Sequence, residues 1–122
     1  MDMVMIGLPF LDQGYDVWFS NSRGAVYSNT NVRDGEWSLK ERWDFSWATM
    51  GRYDLPAIID EIIELTGHEK VTYIGYSQGT AQMYYALATN QDFFAEKLNR
   101  FVALASCIFI DVEVLGLDRN YE

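Results

Sequence analysis

The chain has 122 residues, 49% of them apolar and 16% aromatic, which describes a globular chain with one core and excludes an unfolded polymer or two independent domains. Nine Lys and Arg against eighteen Asp and Glu leave a net charge of −9, so no basic surface for nucleic acid can be assembled. A single cysteine, Cys107, allows no internal disulfide, and no apolar run reaches the roughly 18–20 residues of a membrane-crossing helix.

At the amino end, Met3 to Leu11 is apolar, but Asp2 precedes it and Gly7 and Pro9 interrupt it, which argues against a secretory leader. No Asn-x-Ser/Thr signal for glycosylation occurs in the chain. Leu8 to Gln13 is predicted to form a short helix, with Pro9 in its first turn and Gly14 ending it. Tyr15 to Ser20 (YDVWFS) is predicted as a short buried strand, bounded by Gly14 and by the loop Asn21-Ser22-Arg23-Gly24. Residues 25–51 are polar and turn-rich, yet hold Trp37, Trp43 and Trp47. They read as a packed excursion, with the tryptophans assigned to the core in preference to an acyl pocket.

Asp54 is expected to cap a helix in which Pro56 occupies the first turn, Ile58, Ile59, Ile62, Ile63 and Leu65 form an apolar stripe, and Gly67 closes the end. Val71 to Gly75 (VTYIG) reads as a strand and Gln78 to Thr89 as a second helix. Phe101 to Ile110 (FVALASCIFI) reads as a strand buried on both faces. The order strand, excursion, helix, strand, helix, strand predicts an α/β fold with a mostly parallel sheet and helices on both faces, in three layers.

Gly75-Tyr76-Ser77-Gln78-Gly79 is Gly-x-Ser-x-Gly, placed where the strand Val71 to Gly75 gives way to the helix Gln78 to Thr89. The bare pattern recurs by chance, but this junction gives it a steric meaning. A serine on so tight a turn takes strained backbone angles, and only small residues two positions away on each side let strand and helix approach. The Ser77 hydroxyl then stands above the sheet as a candidate nucleophile, and the backbone N–H of Gln78 is placed to donate to a developing oxyanion. Gly75 and Gly79 are the structural glycines of this elbow.

With these blocks stand Gly14-Tyr15-Asp16-Val17-Trp18, Asn21-Ser22-Arg23-Gly24, Trp43, Phe45-Ser46, Tyr53-Asp54-Leu55-Pro56-Ala57, Thr80 and Ala103-Leu104-Ala105. In their order and spacing, from about Leu8 to Ala105, they resemble the acid lipase family, which includes the gastric and lysosomal acid lipases. The resemblance implies a partial α/β-hydrolase core, Ser77 as nucleophile and hydrolysis of acyl esters of glycerol or sterols, with no cofactor and no metal. It further implies a lipid ester as partner, transient contact with a lipid surface, and a secreted or lysosomal setting. The family's His-Gly segment, whose loop supplies a second oxyanion donor, has no counterpart in Met1 to Gly7. Its acid and histidine come after the matched region in the order Ser, Asp, His, and Ser106 stands where the family has proline. Residues 1–122 are therefore expected to form a single incomplete hydrolase domain with the 25–51 excursion inside it.

His68, the one histidine, falls at the far end of the strand from Ser77, about eight extended residues and so on the order of 25 Å away. It is expected to be an exposed turn residue and not a general base, which must sit within about 3 Å of the proton it takes. Asp111, after the apolar run, reads as a loop residue, since no histidine is placed for it to orient. Asp16 is read as structural. Cys107 is expected to be a buried core thiol, and Arg23 to anchor its loop through backbone carbonyls or a carboxylate such as Asp54. Two functions are open on these grounds: a serine ester hydrolase of the lipase type, or a lipase-like remnant without turnover that acts by binding. Strand and helix faces lacking their neighbours would favour self-association in the second case.

Overall fold

The structure, a computed structural model, describes residues 3–28 and 38–108; Trp37, Phe109, Ile110 and Asp111 lie outside them. The first helix, α1, spans Met3–Asp12 and carries Pro9 in its interior. It therefore starts five residues before the predicted Leu8. Pro9 removes one hydrogen bond, to the carbonyl of Met5, whose side chain is exposed at this edge of the chain. Gly14 ends the helix as expected, at φ 84°, with its N–H donated to the Leu11 carbonyl at 2.9 Å.

Tyr15 to Ser20 is not a strand. The segment runs along α1, with Phe19 and Val17 lying over Gly7 so closely that a β-carbon there would run into the Phe19 ring. Tyr15, Trp18 and Phe19 remain 64%, 47% and 44% exposed. Strand-forming composition produces a strand only where a ladder is offered, and among the described residues the sheet has two strands, neither paired with this segment.

A four-residue helix, α2 (Leu39–Arg42), precedes the longest helical path among the described residues. That path runs without a break from α3 (Trp47–Thr49) through a wider π turn at Met50–Asp54 into α4 (Leu55–Thr66). The Ser46 N–H is held by Thr49 Oγ1 at 3.2 Å at its start. Asp54 is thus inside the helix at φ −72° and ψ −46°, with no capping hydrogen bond, and does not have the predicted capping role. The π turn has a local cause. Pro56 has no N–H, and its ring crowds the carbonyl four residues back; the Leu55 N–H reaches to Met50 O instead, opening the turn. Gly67 closes α4 in the left-handed conformation, φ 71° and ψ 10°, where glycine has no steric penalty.

Strand β1 (Val71–Tyr76) leads into α5 (Gln78–Thr89), then a short helix α6 (Gln91–Lys97) and strand β2 (Leu98–Leu104). The strands pair in parallel, Gly75 opposite Ala103 and Tyr76 opposite Leu104. This crossover is the α/β arrangement that the alternation predicts. The second strand begins three residues before the expected Phe101 and ends at Leu104, where Ala105 turns to φ 48°. Nor is it buried on both faces, for Val102 is exposed.

The core joins Leu55 and Ile59 of α4 to Met83 and Ala86 of α5 and Phe94 of α6, with Ile63, Tyr73 and Phe101 packed around them. The apolar face of α4 is narrower than its composition suggested: Ile59 is buried, while Leu65 is 61% exposed. Trp43 and Trp47, at 56% and 42% exposure, lie at the surface and not in the core. The excursion places Trp43 against its own Phe45 and Trp47 against Tyr85 of α5. Phe94 is 1% exposed and is the largest side chain at the centre. Phe94→Ala is expected to cost about 3–5 kcal/mol, read as a lower urea midpoint with little change in slope.

Candidate active site

Ser77 is the single residue between β1 and α5, and its backbone sits at φ 52° and ψ −116°. Only glycine enters this region without strain, which for serine amounts to about 1–3 kcal/mol. Two backbone contacts impose it. The Ser77 N–H extends the ladder to Leu104 O at 3.0 Å, and its carbonyl accepts from the Thr80 N–H at 2.9 Å as α5 begins. The glycines allow the crossing. A β-carbon on Gly75 would lie 2.9 Å from the Gly79 carbonyl carbon, and one on Gly79 would lie 3.3 Å from Tyr73 Oη. Gln78, as the first residue of a 12-residue helix, has an N–H with no acceptor within α5, at the positive end of the helix dipole.

Two residues that the sequence reading did not assign hold this turn. Thr80 is fully buried, and its hydroxyl donates to the Ser77 carbonyl at 2.6 Å while accepting from the Cys107 N–H at 2.9 Å. Its position three residues after Ser77, one helical turn on, was the available signal. Tyr73, on β1, donates its phenol to the Gly79 carbonyl at 3.1 Å. Burial pushes the Tyr73 phenol up from its ordinary value near 10 to about 12.

Cys107 is not a buried core thiol. It is half-buried on the turn beyond β2, with Sγ 3.8 Å from Ser77 Oγ. The apolar run that suggests one strand is broken at Ala105, whose turn carries Cys107 out of the sheet and against α5. His68 is exposed beyond the end of α4, before β1 begins. It lies across the full length of that strand from Ser77, as predicted. Asp16 is exposed in the irregular segment after α1.

Arg23 anchors its loop as expected. Asp54 accepts from the Arg23 backbone N–H at 2.9 Å and from Nε at 2.8 Å, and Arg23 Nη2 lies 2.7 Å from the same carboxylate. The loop is also pinned to α5, where Ser22 Oγ donates to Gln82 Oε1 at 3.3 Å and Gln82 Nε2 reaches Met50 Sδ at 3.1 Å. Between loop and helix opens a cleft of about 330 Å³, lined by Ser22, Arg23, Gly24, Ala25, Trp43, Phe45, Met50, Gln78 and Gln82. It adjoins the turn through Gln78.

A strained serine between a parallel strand and a helix, with glycines where the two cross, is the backbone arrangement that an α/β architecture requires of a nucleophile elbow. Comparison with known proteins gives the same class. Residues 2–122 match the α/β-hydrolase fold family, and the chain belongs to it. It is 50% identical to gastric triacylglycerol lipase of Mus musculus over 94 residues, covering 77% of this chain and 23% of that protein. Lipase lipl-3 of Caenorhabditis elegans is 44% identical over 96 residues, 79% of this chain and 24% of that protein. A probable lipase of Schizosaccharomyces pombe is 43% identical over 98 residues, with coverages of 80% and 21%. The chain thus spans about a quarter of the length of the curated relatives it matches. Over the matched residues it is acid-lipase-like within that family, at partial length.

Gly75→Ala is expected to destabilise the fold by about 2 kcal/mol or more, because its new methyl group meets backbone that cannot swing aside; thermal melting measures this. Tyr73 ties stability to alkaline pH. The folded chain holds the phenolic proton more tightly than the unfolded one, so the stabilisation is complete below pH 10 and is lost as pH rises from about 10 to about 12. Urea titrations across that range are expected to show a fall that is shallower in Tyr73→Phe.

Proposed function

We propose that the chain carries the nucleophile of a carboxylic ester hydrolase of the lipase type, with Ser77 as the attacking residue. The observation that carries this reading is the backbone of Ser77, held at φ 52° by the crossing of β1 and α5. Strain of this kind is retained where a function uses it. In the proposed reaction, Ser77 Oγ attacks the ester carbonyl carbon and gives up its proton to a general base. The Gln78 N–H donates to the tetrahedral oxyanion, and Gly75 and Gly79 keep that donor and the hydroxyl in register. The carbon–oxygen bond to the alcohol then breaks, the alcohol leaves with a proton, and water releases the acid from the acyl-serine.

The names of the relatives point to triacylglycerol as substrate; steryl esters are the other class that the resemblance carries. Base and acid belong to neither His68 nor any other described pairing with Ser77, so the proposal assigns them to residues outside those described. Residues 1–122 are accordingly read as one part of a hydrolase domain, with 25–51 as an excursion within it. The other reading, a binding protein without turnover, draws on the same separation of His68 from Ser77.

A fluorophosphonate probe decides between them. With the transcript read through both ends and the product expressed to its natural limits, we expect covalent labelling of folded protein at Ser77 and none in Ser77→Ala. Turnover of a triacylglycerol emulsion is expected to fall by about 10⁴-fold or more in the same variant. Labelling that survives the substitution overturns the assignment of Ser77, and a folded protein that takes no label supports the binding reading.

A further inference from the structure

The turn beyond β2 is built to present one side chain to Ser77. Ala105 takes φ 48°, a conformation that costs a non-glycine residue strain. Two hydrogen bonds to α5 then fix the next two residues. Ser106 Oγ lies 2.9 Å from Tyr84 Oη, and the Cys107 N–H donates to Thr80 Oγ1 at 2.9 Å. Thr80 is the residue that also holds the Ser77 carbonyl. The Cys107 side chain is turned back further by a contact of 3.5 Å between Sγ and the Ala105 carbonyl. Ser77 and Cys107 are therefore positioned by one shared side chain, and their separation of 3.8 Å between Oγ and Sγ is set by rigid elements on both sides.

At that separation hydroxyl and thiol share a long hydrogen bond in which either atom can donate, and the two side chains touch. No atom fits between sulfur and hydroxyl, so on this side of Ser77 a group bonded to Oγ meets the thiol at contact distance. We infer that Cys107 is a specificity-determining residue for the reaction proposed at Ser77. It walls one side of the acyl carbon and restricts the site to esters unbranched at the carbon next to the carbonyl. The inference rests on the reading of Ser77 as the nucleophile and adds a substrate class to it. Cys107 takes no proton in this role and makes no bond to substrate; its contribution is volume.

The test uses two phosphonofluoridates that differ only in the group on phosphorus, n-butyl against tert-butyl. Ser77 Oγ forms the bond to phosphorus, fluoride leaves, and the hydroxyl proton goes to base and solvent, so both probes report the same step. The natural-length protein is expected to react with the n-butyl probe at least tenfold faster. Removing a side chain of this size relaxes such discrimination by about tenfold or more, so the preference is expected to collapse in Cys107→Ala. It should persist in Cys107→Ser, which is near in size, and steepen in Cys107→Leu. Labelling in Cys107→Ala with the preference intact overturns the inference while leaving Ser77 as nucleophile. No labelling of folded wild-type protein by either probe overturns the underlying reading, and the inference with it.

Folding of each variant is read by thermal melting. Should Cys107→Ala fail to fold, Ser77→Cys supplies an independent readout. Mild oxidation of that variant with diamide is expected to form a disulfide between positions 77 and 107 and to lower the mass by two hydrogens. A variant that stays reduced under those conditions shows that the two side chains do not meet, which also overturns the inference.

Discussion

The close crossing of β1 and α5 at Ser77 is the constraint on which the rest of the described structure depends. Strand and helix meet with backbone against backbone, Gly75 under Gly79, and there is no room in that contact for a side chain on Gly75, while one on Gly79 would press on the Tyr73 hydroxyl. What the crossing yields is directional. The serine hydroxyl, the first N–H of the helix and the end of the parallel ladder come to one edge of the sheet. The strain at Ser77 is offset by its surroundings: Leu104 takes its N–H, Thr80 takes its carbonyl, and Tyr73 secures the next turn through Gly79.

Around this point the chain is tied by a few long-range polar contacts. The Arg23 and Asp54 pair fastens the Asn21–Gly24 loop to the long helical path, and Gln82 fastens the same loop to α5. An exposed ion pair contributes little. This one differs because a backbone N–H and a guanidinium converge on one carboxylate whose side chain is only 12% exposed. By contrast, the Lys97 and Asp60 pair, more open to solvent, links α6 to α4 without shaping the site.

How much of this was legible in the sequence depended on whether the signal was local. The helices ending at Gly67 and spanning Gln78 to Thr89 and the strand from Val71 are written in adjacent residues, and the structure has them in place, with Gly75 and Gly79 where that strand and helix cross. Arg23 with Asp54 was legible as chemistry, an anchor seeking a carboxylate. Three features were not legible because their cause lies elsewhere in the chain. Tyr15 to Ser20 has the composition of a strand but no ladder beside it. Trp43 and Trp47 look like core residues and pair with rings at the surface. Cys107 sits in an apolar run whose continuity hides the turn at Ala105, and only the hydrogen bond from its N–H to Thr80 brings it to Ser77.

The π turn at Met50–Asp54 has a consequence for how this region tolerates changes in length. A helix advances about 100° per residue, so the extra residue in that turn sets the rotational phase of everything before it relative to α4. Deleting one residue there would restore an ordinary turn but rotate Trp47 and Ser46 by about 100°. Gly51, which now faces the Gln82 carbonyl so closely that an added carbon would lie 2.5 Å from it, would yield that place to a residue with a side chain. The widened turn thus acts as a phase setter: the segment accepts substitution at its exposed positions but not a change in count, and a deletion would register on α5, the helix that follows Ser77, before it registered in the excursion itself.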